Sequence, residues 1–133
     1  MFDALDIGAS ALSAQRTRMD TIASNVANIG TTHDDNGLPN PFRRRIALLQ
    51  ARANDRGAPG VSVSKIVQDP APFRQVYEPG HPDANAQGYV RYPNIDLAME
   101  MVNMMEASRA YEANVTMMET SKAMISSALR LIA

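Results

Sequence analysis

The sequence contains no cysteine and no tryptophan. Without cysteine there can be no disulfide, thiolate metal site, iron–sulfur cluster or cysteine nucleophile. Neither sign of charge dominates: 13 Lys and Arg stand against 14 Asp and Glu, for a net charge of −1. That balance argues against a dedicated nucleic-acid binder or a polybasic membrane-surface protein, since either would show a basic excess. No apolar run approaches the roughly 18 residues a membrane-spanning helix needs, so no direct membrane insertion is expected. The opening MFDALDIGAS places Asp3 and Asp6 where a secretory signal would carry basic residues, and predicts no cleavable signal. What is present is a 133-residue chain with 45% hydrophobic residues and only 5% aromatics, the size of one domain and too apolar for disorder.

Proline and glycine are also missing, but only from the ends. All eight prolines lie between Pro39 and Pro93, and six of the seven glycines between Gly30 and Gly88. Proline removes a backbone donor and glycine raises backbone entropy, so both are kept out of helix interiors. The chain therefore divides into an N-terminal helix (1–30), an irregular or β-rich insertion (31–93) and a C-terminal helix (94–133). The expected class is mainly α with a small β insertion, the two long helices pairing as an antiparallel coiled coil.

Leu5, Leu12, Met19 and Val26 recur every seven residues in the first segment and make a stripe of coiled-coil width. Asp6, Ser13, Arg16, Asp20 and Ser24 occupy the other face, and Gly30 is placed to stop the helix. In the last segment Leu97, Met101, Met104, Ser108, Tyr111, Val115, Met118, Lys122, Ile125, Leu129 and Ile132 alternate in steps of four and three, a supercoiling signature. Asn94, after Pro93, is a candidate N-cap, with Asp96 and Glu100 near the positive end of the helix dipole. Met99, Met105, Met117, Met124 and Leu131 fall outside this set, so the apolar arc is wider than one partner helix requires. Methionine adapts to irregular neighbours, and two helices provide no third layer, so the spare arc points to burial between molecules. The assembly seam expected from these patterns is Leu5, Leu12, Met19 and Val26 with Met101, Met104, Tyr111, Val115, Met118, Ile125 and Leu129.

Between the helices, 42–53, 61–67, 73–78 and 88–92 read as short strands. They are separated by the turn sequences Arg56-Gly57-Ala58-Pro59-Gly60, Asp69-Pro70-Ala71-Pro72 and Pro79-Gly80-His81-Pro82-Asp83. A strand through Arg43-Arg44-Arg45 puts the outer two on one face and Arg44 on the other, a solvated or neighbour-facing arrangement. No catalytic, cofactor-binding or metal-binding set stands out. His33 and His81 lie beside Asp34, Asp35 and Asp83 in turn-like sequence with no ligand spacing, and 32–43 fails the calcium-loop pattern at both Thr32 and Arg43. Phosphate loops, nucleophile elbows and H-E-x-x-H are absent, so no enzyme is expected.

Two sets of strings carry a resemblance. SALSAQRTRMDTIASNVANIGT (10–31) is similar to the start of flagellar axial proteins, in the motif Ser24, Asn25, Val26, Ala27, Asn28 and Thr31. The stretch 76–124 resembles proximal rod proteins of the FlgC type, through Y-x-P-G-H-P-D-A (Tyr77, Pro79, Gly80, His81, Pro82, Asp83), G-Y-V-x-x-P-N (Gly88, Tyr89, Pro93, Asn94) and E-M-V…S-R-A-Y-E-A-N, in that order. The first of these three separates the proximal rod type from longer rod, hook and filament relatives. The resemblance implies a structural subunit of the flagellar basal-body rod, assembling through its terminal helices with copies of itself and with other rod proteins. It also implies contact with the inner-membrane ring, passage unfolded through the flagellar type III export apparatus, and a place in the rod across the periplasm, lining the export channel and carrying torque. For Asn25 and Asn28, capping of backbone groups and bonding to a neighbour both stay open. A cytoplasmic helical adaptor or chaperone-like module would show a similar seam, but has little use for a proline-punctuated ribbon. A small hydrolase using His81 and Asp83 is the third reading.

Overall fold

A computed structural model of the chain describes residues 2–53, 57 and 59–133. The elements run α1 (Phe2–Ala27), β1 (Arg45–Ala53), β2 (Pro59–Gln68), β3 (Arg74–Tyr77), β4 (Tyr89–Tyr92) and α2 (Leu97–Ile132). The strands form two separate two-stranded antiparallel ribbons, β1–β2 and β3–β4, rather than the one ribbon expected. Arg56 and Ala58 of the expected turn between β1 and β2 lie outside the described residues. In the first ribbon Leu48 pairs with Lys65 and Leu49 with Val63, so Ser64 is the extra residue of a bulge. Its hydroxyl donates to the Leu48 carbonyl at 3.2 Å.

At 1.5 Å per residue the 26-residue α1 is about 39 Å long and the 36-residue α2 about 54 Å. Their contacts run in opposite senses. Gly8 meets Met118, Met19 Sδ receives the Ser108 hydroxyl at 3.6 Å, and Asn25 meets Glu100. On that spacing α1 runs out near residue 124 of α2, and about two turns of α2 extend beyond it. The first ribbon lies along α1, where the Ser10 hydroxyl accepts from Val61 N–H at 3.0 Å. Among the described residues the buried apolar side chains are Ala14, Ile22, Val90, Ile95 and Ala107, and they share the interior with Thr21, Asn25, Thr32 and Glu100. So small a core is held by polar bonds as much as by apolar burial.

The helix ends differ from expectation. Helix α1 stops at Ala27, because the Asn28 side-chain amide turns back onto the Ser24 carbonyl at 2.8 Å; Gly30 is not in the left-handed conformation a glycine stop uses. Helix α2 is capped by Asp96, whose carboxylate accepts from Ala98 N–H at 2.9 Å and Met99 N–H at 3.5 Å. A carboxylate there satisfies two free donors and also meets the positive end of the dipole, which an asparagine could not. Asn94 instead bridges to the ribbon, accepting from Arg44 N–H at 3.1 Å and donating to the Ala71 carbonyl at 3.2 Å.

The line of α2 facing inward is shifted from the apolar heptads. Met104, Tyr111, Met118 and Ile125 are on it, half-buried. Its alternate positions are Glu100, Ala107, Asn114, Ser121 and Ala128, each one residue before the expected Met101, Ser108, Val115, Lys122 and Leu129. Ala107, Ser121 and Ala128 among these positions are small, as suits helices that come close: a Cβ on Gly8 would stand 2.6 Å from Met118 Cγ. The larger residues face away, with Met101 58% and Leu129 62% exposed, while Ser108 and Val115 are half-buried at the margin. On α1 the expected Leu5, Leu12, Met19 and Val26 are half-buried, beside the buried Gly8, Ala14, Thr21, Ile22 and Asn25.

Candidate functional site

The inner ends of the two helices and the start of β1 meet at one polar node. Asn25, fully buried, sits two residues before the end of α1. Its Oδ1 accepts from Arg45 N–H at 2.9 Å and its Nδ2 donates to the Arg45 carbonyl at 2.8 Å, so one side chain takes both backbone groups of a strand residue. The same Nδ2 donates to Glu100 Oε2 at 3.1 Å. Glu100 has no exposed surface; its other oxygen accepts from Arg44 Nε, and Arg44 also donates to Asp69 Oδ2 at 3.2 Å. A buried carboxylate is costly unless paired and hydrogen-bonded, and both conditions are met here.

The sequence pattern puts Glu100 at the positive end of the helix dipole and Arg44 on a solvated or neighbour-facing strand; in the structure they form the central ion pair. Glu100 falls four residues before Met104 and seven before Ala107, so a charge on the inward line was the available signal. The flanking arginines also turn to local partners. Arg43 lies over the Phe73 ring at 4.2 Å and donates to the Asp69 and Ala71 carbonyls, both at 2.9 Å, while Arg45 lies over Phe42 at 5.1 Å.

The two motif regions meet at a second point. Thr31, the last motif residue after α1, donates to Asn28 Oδ1 at 3.1 Å, and its buried neighbour Thr32 donates to Asp83 Oδ2 at 2.6 Å. His33 Nδ1 lies 3.3 Å from the same oxygen. His81 accepts from Asp83 N–H at 3.0 Å and packs edge-on to Tyr92. Asn28 and Asn25 thus have their bonds within the chain, one to a helix carbonyl and one to the ribbon and Glu100. The rest of the second motif closes the β3–β4 loop. Glu78 N–H donates to the Gly88 carbonyl at 2.9 Å, and Gly88, at φ +83°, has Tyr77 and Pro79 where a Cβ would stand. Tyr77 and Tyr89 stack edge-on at 5.2 Å, Pro93 is buried, and Ala27, Pro79, Gly80 and Pro82 are exposed. His33, His81 and Asp83 come together, yet among the described residues no group of three or more His, Asp or Glu is arranged to hold a metal ion.

The bond from Thr32, and after it the neighbouring His33, holds the Asp83 carboxyl below the ordinary carboxylate range. The Ala71 N–H, and after it Arg44, do the same for Asp69. A carboxyl depressed in the folded state stabilises above its unfolded pKa, about 3.9, and loses that contribution as pH falls through the folded value. Thermal stability is therefore expected to fall on acidification below about pH 4, and Asp83→Asn should shallow that fall. Unfolding midpoints at several pH values check this; identical slopes for wild type and variant would refute it.

Comparison with known proteins follows the same two regions. Residues 5–32 match the family described as flagella basal body rod protein, and residues 86–131 match the family described as flagellar basal body rod FlgEFG protein C-terminal. Over nearly the whole chain it is similar to the flagellar basal-body rod protein FlgC of Bacillus subtilis (strain 168), 43% identical, with 98% of this chain and 97% of the relative covered. FlgC of Yersinia enterocolitica is 42% identical over the same shares, and FlgC of Aquifex aeolicus (strain VF5) is 42% identical over 92% of this chain and 90% of the relative.

Proposed function

Since this chain belongs to the FlgC family of flagellar basal-body rod proteins and is a structural subunit of the rod, we propose that it builds the proximal part of that rod through the outward residues of its terminal helices. The observation that carries this reading is the placement of the apolar surplus. Met99, Met101, Val102 and Met105 at one end of α2, and Met124, Leu129, Leu131 and Ile132 at the other, are all more than half exposed. So much outward apolar surface on one long helix suits burial against other helices. The helices pair within the chain as an antiparallel coiled coil along the small-residue line, and the outward residues form the seam between subunits. Contacts between unlike surfaces that do not close a ring generate a helical tube, the form a drive shaft with a central channel requires.

The partners on this reading are copies of the chain, other rod proteins, the junction with the inner-membrane ring, and the flagellar type III export apparatus that delivers the subunit without a cleavable signal. Its place is the rod crossing the periplasm, where packed seams carry torque. No described helix is long and apolar enough to cross a membrane. A helical adaptor is not favoured, since the relatives over the full length are rod proteins.

Deletion of the chain in its host, followed by electron microscopy of purified basal bodies and a swimming assay, tests the reading. Loss of rods, hooks and motility is expected, restored by the intact chain but not by one truncated after Pro93. Normal rods in the deletion strain would refute it.

A further inference from the structure

In an antiparallel ladder, residues of non-hydrogen-bonded pairs direct their N–H and C=O away from the partner strand. Two side-chain bonds set the phase of the first ribbon. Both backbone groups of Arg45, opposite Gln68, are taken by Asn25, and the N–H of Val61, opposite Ala51, is taken by Ser10. The outward residues of β1 are therefore Arg45, Ala47, Leu49 and Ala51. Arg45 is satisfied by Asn25. The outward N–H and C=O of Ala47, Leu49 and Ala51 have no partner among the described residues.

Between Arg45, which α1 covers, and Arg52 this edge carries no protecting charge. It contains no proline and no lysine, its bulge is on the other strand, and Leu48 and Leu49 are exposed beside it. It also borders a cleft of about 270 Å³ that Ala47 and Leu49 line together with Arg18 and Ile22 of α1 and Glu100 and Asn103 of α2; the Glu100 carboxylate there is already paired with Arg44. The two strands carry Arg45, Arg52 and Lys65 and no acid, and none of the three is ion-paired among the described residues.

We propose that the outer edge of β1 receives an extended segment of a neighbouring subunit as a third strand, seated in this cleft and carrying carboxylates toward the ribbon's cations. The row of outward backbone groups suits a strand rather than a helix, because only extended chain presents donors and acceptors at the matching spacing. The absence of acid from the two strands sets the chemistry of that third strand. The contact rests on the chain's being a rod subunit, and adds to the helix seams a crosslink between subunits at larger radius or further along the shaft.

Position 51 permits a test in which only one N–H changes. Ala51→Pro removes an outward donor and leaves the bonds between β1 and β2 in place, whereas Ala51→Thr keeps the donor. Rod incorporation and swimming are expected to be lost with proline and kept with threonine, although both variants are made and exported at wild-type levels. The chain has no cysteine of its own, so Ala51→Cys gives a second readout. Its thiol should react with a maleimide in the free chain and be shielded in purified basal bodies, while Gln87→Cys, in an exposed loop, reacts in both. Normal rods with Ala51→Pro, or equal labelling of Ala51→Cys in the two states, would overturn the strand addition. Absence of the wild-type chain from basal bodies would overturn the rod assignment and the strand addition together.

Discussion

Replacing Arg44 with methionine is expected to destabilise the chain by about 3–5 kcal/mol, the range seen when one partner of a buried ion pair is removed and the other keeps its charge. Glu100 has no exposed surface. Without the guanidinium it retains only the Asn25 amide, which is already shared with the Arg45 carbonyl. The carboxylate must then draw in water or pull the helix ends apart. Each outcome loosens the point where α1, β1 and α2 meet, so the loss should spread to helix pairing and abolish rod assembly. Adding Glu100→Leu should return most of the stability, because a buried pair replaced by apolar groups of similar size is often neutral or better. Asn25→Ala should cost less, about 1–3 kcal/mol, from the Arg45 backbone groups left unpaired. Urea unfolding of the purified chain separates these cases. If Arg44→Met unfolds at the wild-type midpoint, or the double variant is no better than the single, the node is not what joins the three elements.

That node also marks what could be read from the sequence. Helix and strand positions followed from where proline and glycine are excluded and from alternation in the middle: the four strands fall within two or three residues of the segments expected. The phase of the seam did not follow. Counting apolar residues selected Met101 and Leu129, whereas the chain buries Ala107, Ser121 and Ala128 more deeply because small side chains let the helices approach, and Glu100 because Arg44 and Asn25 pair with it. Ser108 and Lys122, the two polar interruptions in the heptad set, were the signs that the chain's own helix pair uses a line one residue earlier. Glu100 and Arg44 were hidden for a related reason. Each is ordinary on a surface, and only their partnership across 56 residues explains either one. Asn25 and Asn28 could be picked out as motif residues, but their roles depend on which strand passes beside α1, and no local pattern encodes that.

The shifted seam yields a second large effect, and the contrast between two positions carries it. Leu129→Asp changes a residue that is 62% exposed on the part of α2 beyond α1. The isolated chain should tolerate it, as surface substitutions usually stay within about 0.5 kcal/mol. Met118→Asp places a charge against Gly8, between the two helices, and should loosen the chain itself. Both variants are expected to leave cells without rods and unable to swim, but for different reasons, and unfolding curves of the purified chains tell them apart. With Leu129→Asp the subunit folds normally, and the penalty arises only when a neighbour covers the carboxylate, where an unpaired buried charge costs several kcal/mol. Swimming cells with Leu129→Asp would mean that the last turns of α2 remain in water in the rod. A lowered unfolding midpoint for the same variant would instead place Leu129 within the chain's own packing. Because the outward apolar residues occur at both ends of α2, Met101→Asp repeats the comparison near the node. A fold that survives both substitutions while assembly survives neither would assign inward small residues to building the subunit and outward large ones to building the shaft.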